Sequence, residues 1–170
     1  MLKIIPLIFS LLLCACREAG ESVSSGDAGP VQQMSGLTMR AMNRGFYTWD
    51  LTSDFAVLAE AESKARLTNP KINFHRQGKI VSRVSALRGT LFTATKDMEL
   101  RDNVVVNAVE DESVLKGKTL YFTSATDKIW SRDSVTLYQQ GSVVKGKGFF
   151  ANPDLSEIVI EKQKTIFEKS

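Results

Sequence analysis

Beyond Tyr47 the apolar residues recur at every second position. Ile72 is followed by Phe74, Met98 by Leu100, Val104 by Val106, Leu120 by Phe122, and Val135 by Leu137. Side chains alternate across a strand, so period two predicts strands with one buried and one wet face, whereas an amphipathic helix would repeat near 3.6. Turn signals fall between these runs: "TNP" at 68–70, "RQGK" at 76–79, "RDN" at 101–103, "TDK" at 126–128, "QQG" at 139–141 and "NPD" at 152–154. Many short strands punctuated in this way predict an all-β sandwich, barrel or coiled-sheet solenoid.

The pattern also repeats at longer range. "LRGTLF" from Leu87, "LKGKTLYF" from Leu115 and "VKGKGFF" from Val144 place Gly89, Gly117 and Gly146 at spacings of 28 and 29 residues. An apolar-basic-Gly core at that period predicts the same corner in a repeated pair of strands, with Gly permitting a bend or a close backbone approach. Stacked units then form one continuous sheet with an apolar stripe along one face. Periodicity alone favours a closed, packed core over an open trough. Trp49 and Trp130 are expected as partly buried anchors of this sheet.

The N-terminus has a different pattern. "MLKIIPLIFSLLLCACREAG" carries one charge at Lys3, about ten mostly apolar residues and a small residue before a cysteine, too short a run for a spanning helix. It predicts a secretory signal over residues 1–15. "LCAC" resembles a bacterial lipobox, with Ala15 before a lipidated Cys16; Cys14 follows Leu13 and fails the same test. Residues 16–44 are rich in Gly, Ser and polar side chains and read as a lipid-anchored tether, which as a flexible coil would span roughly 25 to 30 Å. The folded domain is then expected over residues 45–167.

Composition narrows the chemistry. With 170 residues, 43% hydrophobic and 24% charged, the chain has room for one ordinary domain. Its formal charge of +3 is spread over both signs, and aromatics do not interleave with Arg, so nucleic acid is not an expected partner. With Cys14 removed and Cys16 lipidated, no thiol remains for catalysis or metal binding. His75, in "INFHRQGK", has no second histidine to complete a metal set and reads as a surface turn residue. "EDE" at 110–112 reads as a solvated loop and not as an acid/base pair. No cofactor, metal or catalytic residue is expected, and the chain is not expected to be an enzyme. Arg88, Lys116, Lys118, Lys145 and Lys147 have two readings: cations at the mouth of a trough, or charges that guard strand edges.

The run from Thr119 to Lys162 resembles the C-terminal half of the lipopolysaccharide-export periplasmic protein family LptC, of the OstA-like jelly-roll proteins. "KARLTNPKINFHRQGKIVSRVSALRGTLF" and "MELRDNVVVNAV" resemble the family's earlier strands, so the likeness covers Trp49 to Lys164. Its most specific pieces are "LRDNVVVNAV", "SRDSVTLY" and "GSVVKGKGF", taken in order. The resemblance implies a half-open antiparallel β-jelly roll and turns the preference from packed core to trough. It implies that lipopolysaccharide passes from an inner-membrane ABC transporter into an apolar groove and on to a periplasmic bridge protein of the same fold.

On that reading Phe74, Leu100, Val104, Val106, Leu120, Phe122 and Leu137 line the groove, and Ile158 and Ile160 sit on the edge that meets the bridge partner. Family members familiar for this role carry a membrane-spanning helix, where this chain has a lipobox. Inner-membrane anchoring in the periplasm through Cys16 therefore rests on analogy. The alternative is a structural envelope lipoprotein whose closed β core binds only a protein partner.

Overall fold

The computed structural model describes residues 31–167. They form twelve strands: β1 (Val31–Asn43), β2 (Phe46–Ala59), β3 (Lys64–Thr68), β4 (Lys71–Arg76), β5 (Lys79–Ser85), β6 (Arg88–Phe92), β7 (Met98–Ala108), β8 (Val114–Thr123), β9 (Lys128–Gln139), β10 (Ser142–Ala151), β11 (Ile158–Ile160) and β12 (Lys164–Phe167). Every pairing is antiparallel, and all belong to one sheet. The expected all-β jelly roll is what forms.

The sheet is creased. One flank of β7 takes β6 along Met98–Arg101 and β5 along Val105–Ala108. Likewise β2 takes β3 along Phe55–Ala59 and β4 along Trp49–Thr52, and β10 takes β12 along Ser142–Lys145 and β11 along Phe149–Ala151. The pairs β3–β4, β5–β6 and β11–β12 therefore each act as one bent strand. The long strands bend at the same level: register breaks between Arg101 and Val104, Gly117 and Tyr121, and Lys147 and Phe149. Bulges accentuate local twist and bend the strand that carries them, so nine stacked rungs fold along one crease into two walls.

Sequence chemistry explains the crease. Asn69, Asp102 and Asn103 have positive φ (51°, 65° and 50°), a conformation these short polar residues tolerate better than most. Backbone bonds then run from corner to corner, Asn69 N–H to Leu87 O at 2.9 Å and Leu87 N–H to Asp102 O at 3.0 Å. The "RDN" signal thus marks a bulge inside a continuous strand and not a turn between strands. "RQGK" and "QQG" do make hairpin turns, with Gln77–Gly78 and Gln140–Gly141 at positive φ.

The three repeated glycines sit near the crease on alternate rungs, as the 28- to 29-residue period predicts. Their requirement is close approach. A Cβ on Gly146 would lie 2.2 Å from Ile160 Cγ2 and 2.7 Å from Glu161 O, and one on Gly89 3.0 Å from Leu100 Cδ2.

The expected start of the domain needs correction. Residues 31–43, assigned to the tether, form the thirteen-residue strand β1 paired with β2 along its length. Arg44 and Gly45, taken as the domain boundary, are the hairpin turn between them, with φ of 49° and 85°. In β1 Leu37, Met39 and Ala41 alternate toward the core while Thr38 and Arg40 are exposed, but only Ala41 is fully buried and residues 31–36 carry no such period, so the strand signal is confined to five residues. The signal segment, Cys14, Cys16 and the remaining tether lie outside the described residues.

Candidate functional site: the apolar interior

The two walls enclose one continuous apolar cluster that runs from β2 to β10. The first wall contributes Leu51, Ile72, Phe74, Val84, Val104, Val106, Leu115, Val135 and Leu137; the second contributes Leu67, Leu91, Met98, Leu100, Leu120, Phe122, Ile129 and Phe149. All seven residues assigned to the groove by alternation face this interior together, and none is more than 3% exposed. The walls touch across it: the rings of Phe74 and Phe122 have centroids 4.8 Å apart, tilted by 58°. The space between them is packed here, with aliphatic and aromatic side chains as its lining and few polar groups. Such a lining is apolar and dry, compatible with aliphatic groups and with little to pair a charged one.

At the open side of the fold, away from the crease, a loop crosses from one wall to the other. The β10–β11 segment 152–157, "NPDLSE", places Leu155 in the core at 2% exposure. Leu155 holds φ at 59°, an arrangement disfavoured for leucine by roughly 1–2 kcal/mol and offset by its burial. The loop is tied internally by Asn152 N–H to Glu157 O and Leu155 N–H to Asn152 O, each 3.0 Å, and by Ser156 Oγ–H to Asp154 Oδ1 at 2.7 Å. Asp154 forms an ion pair and hydrogen bond with Arg76, at the tip of the opposite wall. Burial pushes the Asp154 carboxyl upward, but the bonds from Ser156 and the Arg76 guanidinium outweigh it and hold the group below the usual range. Lys128 donates to Asn152 Oδ1 and lies 3.6 Å from Glu157, fixing the loop to the β8–β9 turn. Sequence reading marked "NPD" only as a turn. The signal it passed over was an apolar residue, Leu155, inside a turn sequence.

The free edges are β1 at one end and β11 with β12 at the other; among the described residues β1 pairs only with β2, and β11 and β12 only with β10. Glu157 O and Glu161 N–H bond toward β10, so alternation turns Val159 to the ladder and the N–H groups of Ile158 and Ile160 outward. Their side chains pack against the core, Ile160 over Gly146. Both expected edge residues thus present backbone donors to the free side.

Other expectations need adjustment. His75 is a strand residue in β4, not a turn residue: it is half-buried, with Nε2 2.5 Å from Asp50 Oδ2. Trp49 is fully and not partly buried, in the interior, whereas Trp130 is partly buried as expected, on the outer face stacked on Tyr121 at 4.4 Å. Asp111 of the "EDE" run organises its turn, accepting bonds from Ser113 Oγ at 2.7 Å and Gln139 Nε2 at 2.8 Å. Arg88, Lys116, Lys118, Lys145 and Lys147 are exposed on the outer face of β6, β8 and β10, so they neither line the interior nor guard an edge strand.

A concavity of about 360 Å³ lies on the outer face between β2, β3, β6 and β7. Its cations are already paired, Arg66 with Glu62 at 2.9 Å, Arg88 with Asp102 at 2.5 Å and Arg101 with Glu99. Among the described residues no group of three or more His, Cys, Asp or Glu side chains is placed to hold a metal, and no helix is long and apolar enough to cross a membrane.

A family model described as "Lipopolysaccharide-assembly, LptC-related" matches residues 4–168. Among solved structures the chain is similar to LptH, described as the LptA-homologous periplasmic component of the conserved lipopolysaccharide transport device from Pseudomonas aeruginosa. The two share 10% identity over 82% of this chain and 96% of that one, with a TM-score of 0.34. No curated protein matches the chain.

Proposed function

The chain belongs to the LptC-related family of lipopolysaccharide assembly, and on that premise we propose that it carries lipopolysaccharide by its acyl chains. In this reading it takes the lipid from an inner-membrane ABC transporter and passes it to a periplasmic bridge protein of the same fold. Cys16, lipidated after removal of residues 1–15, holds it to the inner membrane from the periplasmic side. It is a carrier and performs no chemistry on its ligand.

The observation that carries this reading is the single apolar interior that runs through every rung from β2 to β10, between two free edges. Each CH₂ moved from water into such an interior contributes roughly 0.8 kcal/mol, while sugars and phosphates stay in water outside the walls. A second reading is favoured by one specific observation: the interior is packed, with Phe74 and Phe122 in contact across it. A structural envelope lipoprotein with a closed core would look the same.

Extraction of the protein from its native membrane, followed by analysis of bound lipid, separates the two. Lipopolysaccharide at near one mole per mole of protein is expected; delipidated protein with full partner binding would favour the structural reading. Incorporation of labelled palmitate is expected in the parent chain and in Cys14→Ser, and not in Cys16→Ser.

A further inference from the structure

The interior has a closure of its own. Between the tips of the two walls, the 152–157 loop puts Leu155 into the apolar cluster and Asp154 onto Arg76 of the opposite wall, while Lys128 holds the loop at its base. Phe74, two residues before Arg76 on β4, is the residue that closes the interior against Phe122. A single element thus combines a plug, a latch to the far wall and a side chain kept at positive φ only by its surroundings.

We propose that this β10–β11 loop is the lid through which acyl chains reach the interior. Breaking the Arg76–Asp154 pair frees the loop from the opposite wall, withdrawal of Leu155 opens a hydrocarbon-lined slot, and the walls part at Phe74 and Phe122 as chains replace those contacts. The loop is suited to this because, apart from the Lys128 contacts that hold its base, its remaining bonds are internal, from Asn152 to Glu157 and from Ser156 to Asp154, and survive its movement about that base. The crease and its corner-to-corner backbone bonds lie on the other side of the fold and act as the hinge. Other charges at the lid are Asp127, Lys128 and Glu157. The proposal rests on the reading of the interior as the acyl-chain site.

The test uses the full chain with Cys14→Ser and Cys16→Ser, a photo-reactive phenylalanine analogue at Phe122, and Arg76→Cys with Asp154→Cys joined by a reductant-cleavable bis-maleimide. Loading is read as cross-linking of Phe122 to detergent-solubilised lipopolysaccharide. Tethering is expected to lower the initial rate at least ten-fold, with recovery on cleavage. A second variant without a tether, Asp154→Asn with Leu155→Ala, is expected to load several-fold faster than the parent. Equal rates in tethered and cleaved protein, with strong cross-linking in both, would overturn the lid and leave the interior reading standing. No cross-linking at Phe122 in tethered, cleaved and untethered protein alike would overturn the interior reading and the lid with it.

Discussion

Phe74 and Phe122 stand 48 residues apart and meet ring to ring, 4.8 Å between centroids, where the two walls of the creased sheet face each other. Phe74 belongs to the first wall and Phe122 to the second, so their contact reports directly on whether the walls are closed. Both are 2–3% exposed. Tilted aromatic pairs add about 0.5–1.5 kcal/mol beyond the area they bury.

Replacing either ring with alanine should therefore destabilise the fold by about 3–5 kcal/mol. The double variant should cost less than the sum of the two, by the pair's own coupling. Chemical denaturation of the four proteins in the cycle measures both quantities; strict additivity would mean that the rings do not contact in solution.

Alternation predicts which residues a bound lipid touches. Photo-reactive groups at Leu120 and Phe122, which face the interior, should cross-link to lipopolysaccharide in energised cells, and one at Tyr121, stacked on Trp130 outside, should do so far less. Similar yields at all three positions would sink the assignment of the interior as the binding face.

Gly146 tests the close approach at the crease. Gly146→Ala must displace Ile160 and the Glu161 carbonyl, so a loss of about 1–3 kcal/mol is expected, together with altered signals from β11. Gly117→Ala meets only Val135 Cγ1 at 3.3 Å and should be the milder change. Thermal melts and backbone spectra distinguish the two.

Ile158→Pro and Ile160→Pro each remove a backbone donor that faces the free edge, so pull-down of a bridge partner should weaken while the circular-dichroism spectrum stays unchanged. Val159→Pro removes a donor on the β10 side and should loosen β11 itself. Retained partner binding in both isoleucine variants would place the docking edge elsewhere.

Asp111 supplies a pH test. Hydrogen bonds from Ser113, then Gln139, hold its carboxyl below the ordinary 3.8 in spite of partial burial. A depressed carboxyl contributes stability that is present above the unfolded value and is lost as pH falls through the folded one. Asp111→Ala should cost about 1–2 kcal/mol at neutral pH. The gap between variant and parent should shrink in acid below 3.8, as denaturation midpoints across that range would register.

The sequence alone determined the strands of the interior and which face of each is buried, because period-two burial writes itself into residue order: Ile72, Phe74, Leu100, Val106, Leu120 and Leu137 all point inward. It also determined the repeating corner, because the crease admits no Cβ at Gly89 or Gly146 without a shift of its neighbours. Where a segment is not half-buried, the sequence was silent. Strand β1 alternates only over Leu37, Met39 and Ala41, which face the core, and its first six residues carry no such period, so its order separates it only weakly from a tether; pairing with β2 along its length makes it a strand. His75 and Asp50 are 25 residues apart and meet because β2 lies beside β4. Arg76 and Asp154, 78 residues apart, meet because the crease swings one wall over the other. Contacts of that kind depend on the angle between two walls, a quantity set by the summed twist and bulges of nine rungs and by no single stretch of residues.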